Sequence, residues 1–240
     1  MPPHPLHCRF SGTLPVPKVF LHTPRLPYQL RDQLIHIDTH DYHIRSLLDR
    51  QQFSDEDALA ADLGISSATW ALFGVVWPSS RILARQVSGM ALQGLKVLEI
   101  GCGLGLSSIV LHRMGVDITA SDYHPLAREF LEHNVQRNEL PPLKYRAGNW
   151  ESDNPGLGEF DLIIGSDLLY QPRHAQQVSA FIALHSESGG AALVVDPDRG
   201  NRNAFTRCML GLGFSHHFER FKVDGLDEES CKGRILHYQR

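Results

Sequence analysis

The chain has 240 residues, of which 42% are hydrophobic and 21% charged, with a formal net charge of -4 at pH 7. That length allows one large domain plus an extension, and the composition is that of a soluble globular protein. The slight acidity argues against a broad nucleic-acid-binding surface, and no apolar run reaches membrane-spanning length, so neither partner is expected.

Seven of the fourteen prolines fall before residue 28, interleaved with His4, His7 and His22. Proline at that density forbids a helix and disfavours a central strand, so residues 1–27 are expected to be a mobile lead or an edge ribbon. Leu34 to Ile44 suits short strands. Ser54 is expected to cap a short helix with acids in its first turn, closed by Gly64 in the left-handed conformation. Ser79 or Ser80 is expected to cap a helix carrying Ile82, Leu83 and Val87 and ending near Gly89.

Strand and helix then alternate. Residues 95–100 read as a strand, 105–114 as a helix, and 117–120 as a second strand ending at Ser121-Asp122. Pro125 opens a helix with Leu126, Phe130, Leu131 and Val135 on one side. Tyr145 sits near a third strand, Phe160–Ile164 forms the fourth, and a helix follows over 173–185. Ala191–Val195 is the fifth strand, stopped by Pro197. Phe205, Cys208, Met209 and Leu212 give the stripe of an amphipathic helix ending at Gly213. Strands near 214–222 and 233–238 finish the chain. Repeated βα alternation packs as a mostly parallel sheet with helices on both faces.

The four cysteines (Cys8, Cys102, Cys208 and Cys231) are scattered with no CxxC pair. They suit reduced thiols, and the N-terminus lacks the layout of a secretion signal. A cytoplasmic location is expected.

Val97-Leu98-Glu99-Ile100-Gly101-Cys102-Gly103-Leu104-Gly105 is the most informative stretch. An apolar strand ends in alternating glycines that open a helix, the arrangement by which α/β proteins present a nucleotide-like ligand. A dinucleotide site uses GxGxxG, with the pyrophosphate at the helix N-terminus. Here the third glycine arrives one residue early, and Leu106 holds the place a dinucleotide turn gives to glycine. Glu99, two residues before the first glycine, suits a ligand with a positive group beside the turn. S-adenosylmethionine carries an ammonium and a sulfonium and no phosphate. Asp122, ending the second strand, can accept two ribose hydroxyls in either kind of site. The plain alternative is a turn with two solvent-facing acids.

The sequence resembles the seven-β-strand methyltransferases, and more specifically the protein-lysine methyltransferase family that also includes nicotinamide N-methylase-like sequences. Val76-Trp77-Pro78-Ser79-Ser80-Arg81-Ile82-Leu83-Ala84 resembles the Trp-containing segment before the first strand, and Glu99 to Gly105 matches the acid-x-Gly-x-Gly-x-Gly turn. Asn149-Trp150 resembles the acid-Trp pair after the third strand. Asp167-Leu168-Leu169-Tyr170 matches the Asp-x-x-aromatic motif after the fourth, and Asp196-Pro197-Asp198-Arg199 is similar to a stretch after the fifth.

The resemblance implies a Rossmann-like fold of seven strands over residues 67–240, an extension over 1–66, and S-adenosylmethionine as cofactor. Trp77, Glu99, Gly101, Gly103, Gly105, Asp122, Asn149, Trp150 and Ser166 would hold it. Trp77 would pack beside the methionine end with its indole N–H free for a polar partner. Trp150 would lie against adenine and Asn149 would bond its edge. Asp167 would orient an acceptor amine, and Tyr170 would form an aromatic wall tolerant of a methylated cation.

The function expected is N-methylation of a protein side chain, lysine favoured. A small-amine methyltransferase, a nicotinamide-dependent oxidoreductase and a non-catalytic cofactor-binding protein remain alternatives. His36, His40 and His43 are spaced loosely like metal ligands, but nothing completes a site, and no metal is expected. His216 and His217 alternate along a strand and point two ways. There is no Gly-x-Ser-x-Gly elbow and no P-loop lysine. Substrate choice is expected in residues 1–66 and in the loops after the fourth and fifth strands.

Overall fold

The computed structural model describes residues 27–224 and 230–240. The expectation for residues 1–26 lies outside the described residues. Strands β1 (Leu30–Ile37) and β2 (His40–Leu47) form an antiparallel hairpin, paired from Leu30 with Leu47 to Ile37 with His40. Its tight turn places Asp38 at φ 52°, a conformation Asp tolerates better than most residues. Helices α1 (Leu59–Asp62) and α2 (Ser67–Trp70) are single turns, followed by a 3-10 turn over Ala71–Gly74 and by α3 (Pro78–Ser88).

From there the expected alternation runs through. β3 (Lys96–Ile100), α4 (Leu106–Arg113), β4 (Asp117–Asp122), α5 (Ala127–Arg137) and β5 (Lys144–Ala147) form the first half. The second half is β6 (Phe160–Ser166), α6 (His174–His185), β7 (Ser186–Asp196), α7 (Arg202–Gly211), β8 (Ser215–Val223) and β9 (Cys231–Gln239).

The seven-stranded sheet has the order β5-β4-β3-β6-β7-β9-β8. It is parallel from β5 to β7, and β9 runs antiparallel to both β7 and β8. The chain winds outward from β3 to β5 and then restarts on the other side of β3 with β6. This is a topological switch point, and in open α/β sheets it opens a crevice beyond the carboxyl ends of the strands.

Alternation along the central strands sorts side chains between two layers. Leu98 and Ile100 of β3, Ile163 of β6, and Ala192 and Val194 of β7 pack with Val178, Phe181, Phe205 and Met209 of α6 and α7. Val97, Leu162, Ile164, Leu193 and Val195 pack on the opposite face with Leu83 and Val87 of α3 and Leu111 of α4. Burial on both faces is what their near-continuous apolar runs require. The hairpin shares a third cluster with the main body, where Ile35, Ile37, Tyr42 and Ile44 meet Leu104, Leu106, Ile109 and Phe130.

Three local expectations are corrected. Ser54 caps nothing: residues 56–57 form a turn closed by the Ala58 amide donating to Asp55 O, and both carboxylate oxygens of Asp55 accept the amides of Ala60 and Ala61 at 2.8 Å. Neither Ser79 nor Ser80 caps α3, because Pro78 occupies its first turn behind Trp77, where the missing N–H is no loss. Leu212 lies past the end of α7 and is exposed, so only Phe205 and Met209 of the proposed stripe are buried in the helix. Gly64 does take a positive φ of 72°. Among the described residues no helix is long and apolar enough to cross a membrane.

Candidate functional site

A cavity of about 540 Å³ lies at the switch point, lined by the turn after β3, the ends of β4 and β6, and the segment from Leu63 to Trp77. Ten of the eleven residues singled out from the sequence line it: Trp77, Gly101, Gly103, Gly105, Asp122, Asn149, Trp150, Ser166, Asp167 and Tyr170. Glu99 does not.

The glycine turn is held by the Cys102 amide donating to Ser121 O at 3.0 Å and the Gly105 amide to Cys102 O at 2.8 Å. Gly101 and Gly103 have φ of 58° and 53°. A Cβ on Gly103 would stand 2.7 Å from the Phe73 carbonyl oxygen, and one on Gly101 would stand 2.8 Å from Leu168 and 3.4 Å from the Trp150 ring. A side chain at either position would collide with packed protein and sit at a positive φ, which is the reason glycine serves there.

Asp122 ends β4 with Oδ2 accepting the Gly103 amide and Oδ1 the His124 amide, each at 2.8 Å. Burial raises its pKa above the usual carboxylate value, against the pull of those amides. Each carboxylate oxygen has a further lone pair, so the group can hold the turn and still accept a pair of hydroxyls. The Phe73 and His124 rings stack at 3.8 Å beside it.

Glu99 is a correction. Strand alternation turns it with Val97 toward α4, where Oε2 accepts the Ser108 amide at 2.8 Å and the Ser108 hydroxyl. A carboxylate in the first turn of a helix meets unsatisfied N–H groups and the positive end of the dipole. Only 3% of Glu99 is exposed. Burial pushes its pKa up to about 7, against the Ser108 bonds that lower it. Its contact is with the helix that follows the turn, not with the cavity.

Two other roles narrow. The Trp77 indole N–H donates to Leu72 O at 2.9 Å, so it is not free for a ligand, although the ring borders the cavity with Arg50 stacked 5.3 Å from its centroid. Asn149 Oδ1 accepts the Glu151 amide at 2.8 Å, and its own amide donates to Asn154 Oδ1. That leaves the side-chain NH2 and the second lone pair of Oδ1 for a ligand. Trp150 meets His174 edge-on at 5.3 Å, and Tyr170 meets the same imidazole edge-on at 4.4 Å.

Asp167 takes φ 55° as the chain leaves β6, with its amide donating to Val195 O at 2.9 Å. Its carboxylate is not free: Arg199 donates Nε to Oδ1 at 2.8 Å and Nη2 to Oδ2 at 3.0 Å. Asp196, buried beside this pair, accepts the Arg199 amide at 2.9 Å and is pushed up to about 6 by burial. Sequence reasoning noted Asp196 to Arg199 as a stretch and gave Arg199 no role. No periodicity links positions 167 and 199, and only parallel β6–β7 pairing brings their strand ends together. Phe73 and His124 were missed likewise: one lies in the segment before α3 and the other just after β4, and no sequence pattern links the two rings that stack.

Residues 62–203, more than half of the chain, match the family described as lysine methyltransferase. The chain is 36% identical over 106 residues to Protein N-lysine methyltransferase METTL21A of Mus musculus, covering 40% of this chain and 47% of that protein. It is 30% identical over 114 residues to Histone-arginine methyltransferase METTL23 of Rattus norvegicus, covering 45% and 51%. The matches thus span about half the length of these curated relatives. A methyltransferase structure from Pyrococcus furiosus shares the fold, with a TM-score of 0.55 at 19% identity over 68% of this chain and 83% of that one. Motif order, switch-point cavity and sheet topology agree with the sequence match, and the chain belongs to the lysine methyltransferase family.

Proposed function

We propose that the protein transfers a methyl group from S-adenosylmethionine to the side-chain amine of a protein lysine. The carrying observation is the cavity at the switch point, where an amide-rich glycine turn without phosphate-type spacing faces a carboxylate on the neighbouring strand. Gly101 and Gly103 let backbone approach the cofactor, Asp122 accepts its ribose hydroxyls, and Trp150 stacks on its base. Asn149, Ser166 and Trp77 complete the walls.

When bound, the cofactor supplies an electrophilic methyl on a sulfonium. The protein has to hold a neutral amine in line with that carbon and keep water away. Tyr170, 42% exposed at the cavity mouth, offers an aromatic face to the incoming side chain. The fork between Asp167 and Arg199 fixes the floor beside it. The amine enters neutral, its proton having gone to solvent, and leaves as the methylated ammonium with S-adenosylhomocysteine as co-product.

The test is labelled-methyl transfer into cell extract, followed by amino-acid analysis of the protein fraction across pH. A lysine acceptor gives methyl-lysine and a rate that climbs from neutral into mildly alkaline pH, because the neutral fraction of an amine with pKa about 10.4 grows. Label in methyl-arginine or methyl-histidine would overturn the lysine assignment, and label confined to small molecules would overturn the protein one. Calorimetric binding of NAD with none of S-adenosylmethionine would overturn both.

A further inference from the structure

The outer antiparallel ribbon holds a second constellation, away from the cavity. His217 on β8 stands directly across from His237 on β9, and Glu219 lies two residues along β8 on the same face. The two imidazoles are parallel within 5° at 4.4 Å between centroids. Glu219 Oε1 is 3.4 Å from His237 Nε2, and one ligand atom from each of the three residues lies within 4.8 Å of the others. His237 Nε2 is buried without a hydrogen-bond partner. None of the three borders the cavity.

We infer that His217, Glu219 and His237 form a binding site for a first-row divalent cation of the zinc, nickel and copper(II) class. Two imidazoles and one carboxylate suit those metals, whereas magnesium and calcium take oxygen ligands and copper(I) takes soft sulfur. Around zinc, with bonds of about 2.0–2.2 Å, tetrahedral ligands stand roughly 3.4 Å apart. The present spacing is wider by about the reach of one rotamer change. His217 and Glu219 are exposed and free to make it, while His237 sits fixed in the inner strand. Water completes the fourth position.

The ion would tie the edge strand β8 to β9. Cross-strand pairs set the strength of a sheet, and among the described residues β8 has no partner on its other side. Binding is therefore read as stability rather than as activity.

The experiment is thermal unfolding of the full chain, stripped with chelator, against added zinc chloride, with the same titration on His217→Ala and Glu219→Gln. Both substitutions lie on exposed positions, so the variants fold. At a hundredfold excess over the dissociation constant the wild type should melt about 5–10 °C higher. Both variants should lose most of that rise, and S-adenosylmethionine affinity should stay the same throughout. No rise in the wild type would overturn the site. So would an equal rise in the variants, which would mean that zinc binds elsewhere.

Discussion

Asp167 and Arg199 show how a residue legible in the sequence acquires its meaning from one that is not. The Asp-x-x-Tyr motif marks Asp167, but a motif cannot reveal that both carboxylate oxygens are taken by a guanidinium 32 positions later. Paired forks of this kind are strong and directional, and Asp167 is nearly buried while Arg199 is partly exposed. Removing Arg199 would leave a carboxylate with little water to replace it. The two therefore act as one positioning unit beside the acceptor. Asp167→Asn and Arg199→Ala should each slow methyl transfer by about tenfold or more, and the double variant should be no slower than the worse single. That implies a coupling energy of about 1–3 kcal/mol in a double-mutant cycle. Additive losses, measured as kcat/KM with S-adenosylmethionine saturating, would show that the residues contribute separately.

At the scale of elements, periodicity and turn residues revealed the strands and helices from residue 95 onward, because each buries a face the sequence advertises. They failed for α1, where Asp55 reaches forward to cap a single turn, and for the attachment of the hairpin. Asn134 of α5 and Asn138, which caps its C-terminal end, act as a substitute third strand for β2. Asn134 Oδ1 accepts the Arg45 amide at 2.7 Å and Asn138 Oδ1 the His43 amide at 3.0 Å, while their NH2 groups donate back to the same two residues' carbonyls. Both asparagines are buried. Polar residues inside an otherwise apolar helix face look like noise in a hydrophobic pattern, and only the edge of β2 makes sense of them. Asn134→Leu should leave the Arg45 amide and carbonyl unpaired, at about 1–3 kcal/mol for each group that water does not reach. Hydrogen exchange of the β2 amides should speed up ahead of those in β3 and β6. Exchange that rises uniformly, or not at all, would show that the hydrophobic cluster alone holds the hairpin.

Two buried titratable groups give the whole molecule an opposed response to pH. Glu99 ionises near 4.5 when unfolded and near 7 when folded, so the folded state holds the extra proton between those values. Stability from this group is full below pH 4.5 and falls as pH rises to 7. His124, stacked on Phe73, behaves in reverse: burial drives it from 6.5 down to about 3. Its contribution is present above pH 6.5 and is lost as pH falls toward 3. Between pH 4.5 and 6.5 the slopes from these two groups oppose each other, while buried Asp196, raised to about 6, adds to the Glu99 side, so each contribution is read from its own variant against the wild type. Glu99→Gln keeps an acceptor for the Ser108 amide and hydroxyl while removing the charge. By urea unfolding it should be more stable than the wild type by about 3 kcal/mol at pH 8, with the advantage gone near pH 4.5. His124→Phe retains the stack and gives up the Leu126 amide bond to Nδ1. It should lose less stability than the wild type on acidification from pH 6.5. Parallel stability curves for Glu99→Gln and the wild type from pH 4.5 to 8 would mean that the folded carboxyl is already ionised at acid pH, held charged by the first turn of α4 more strongly than burial opposes it.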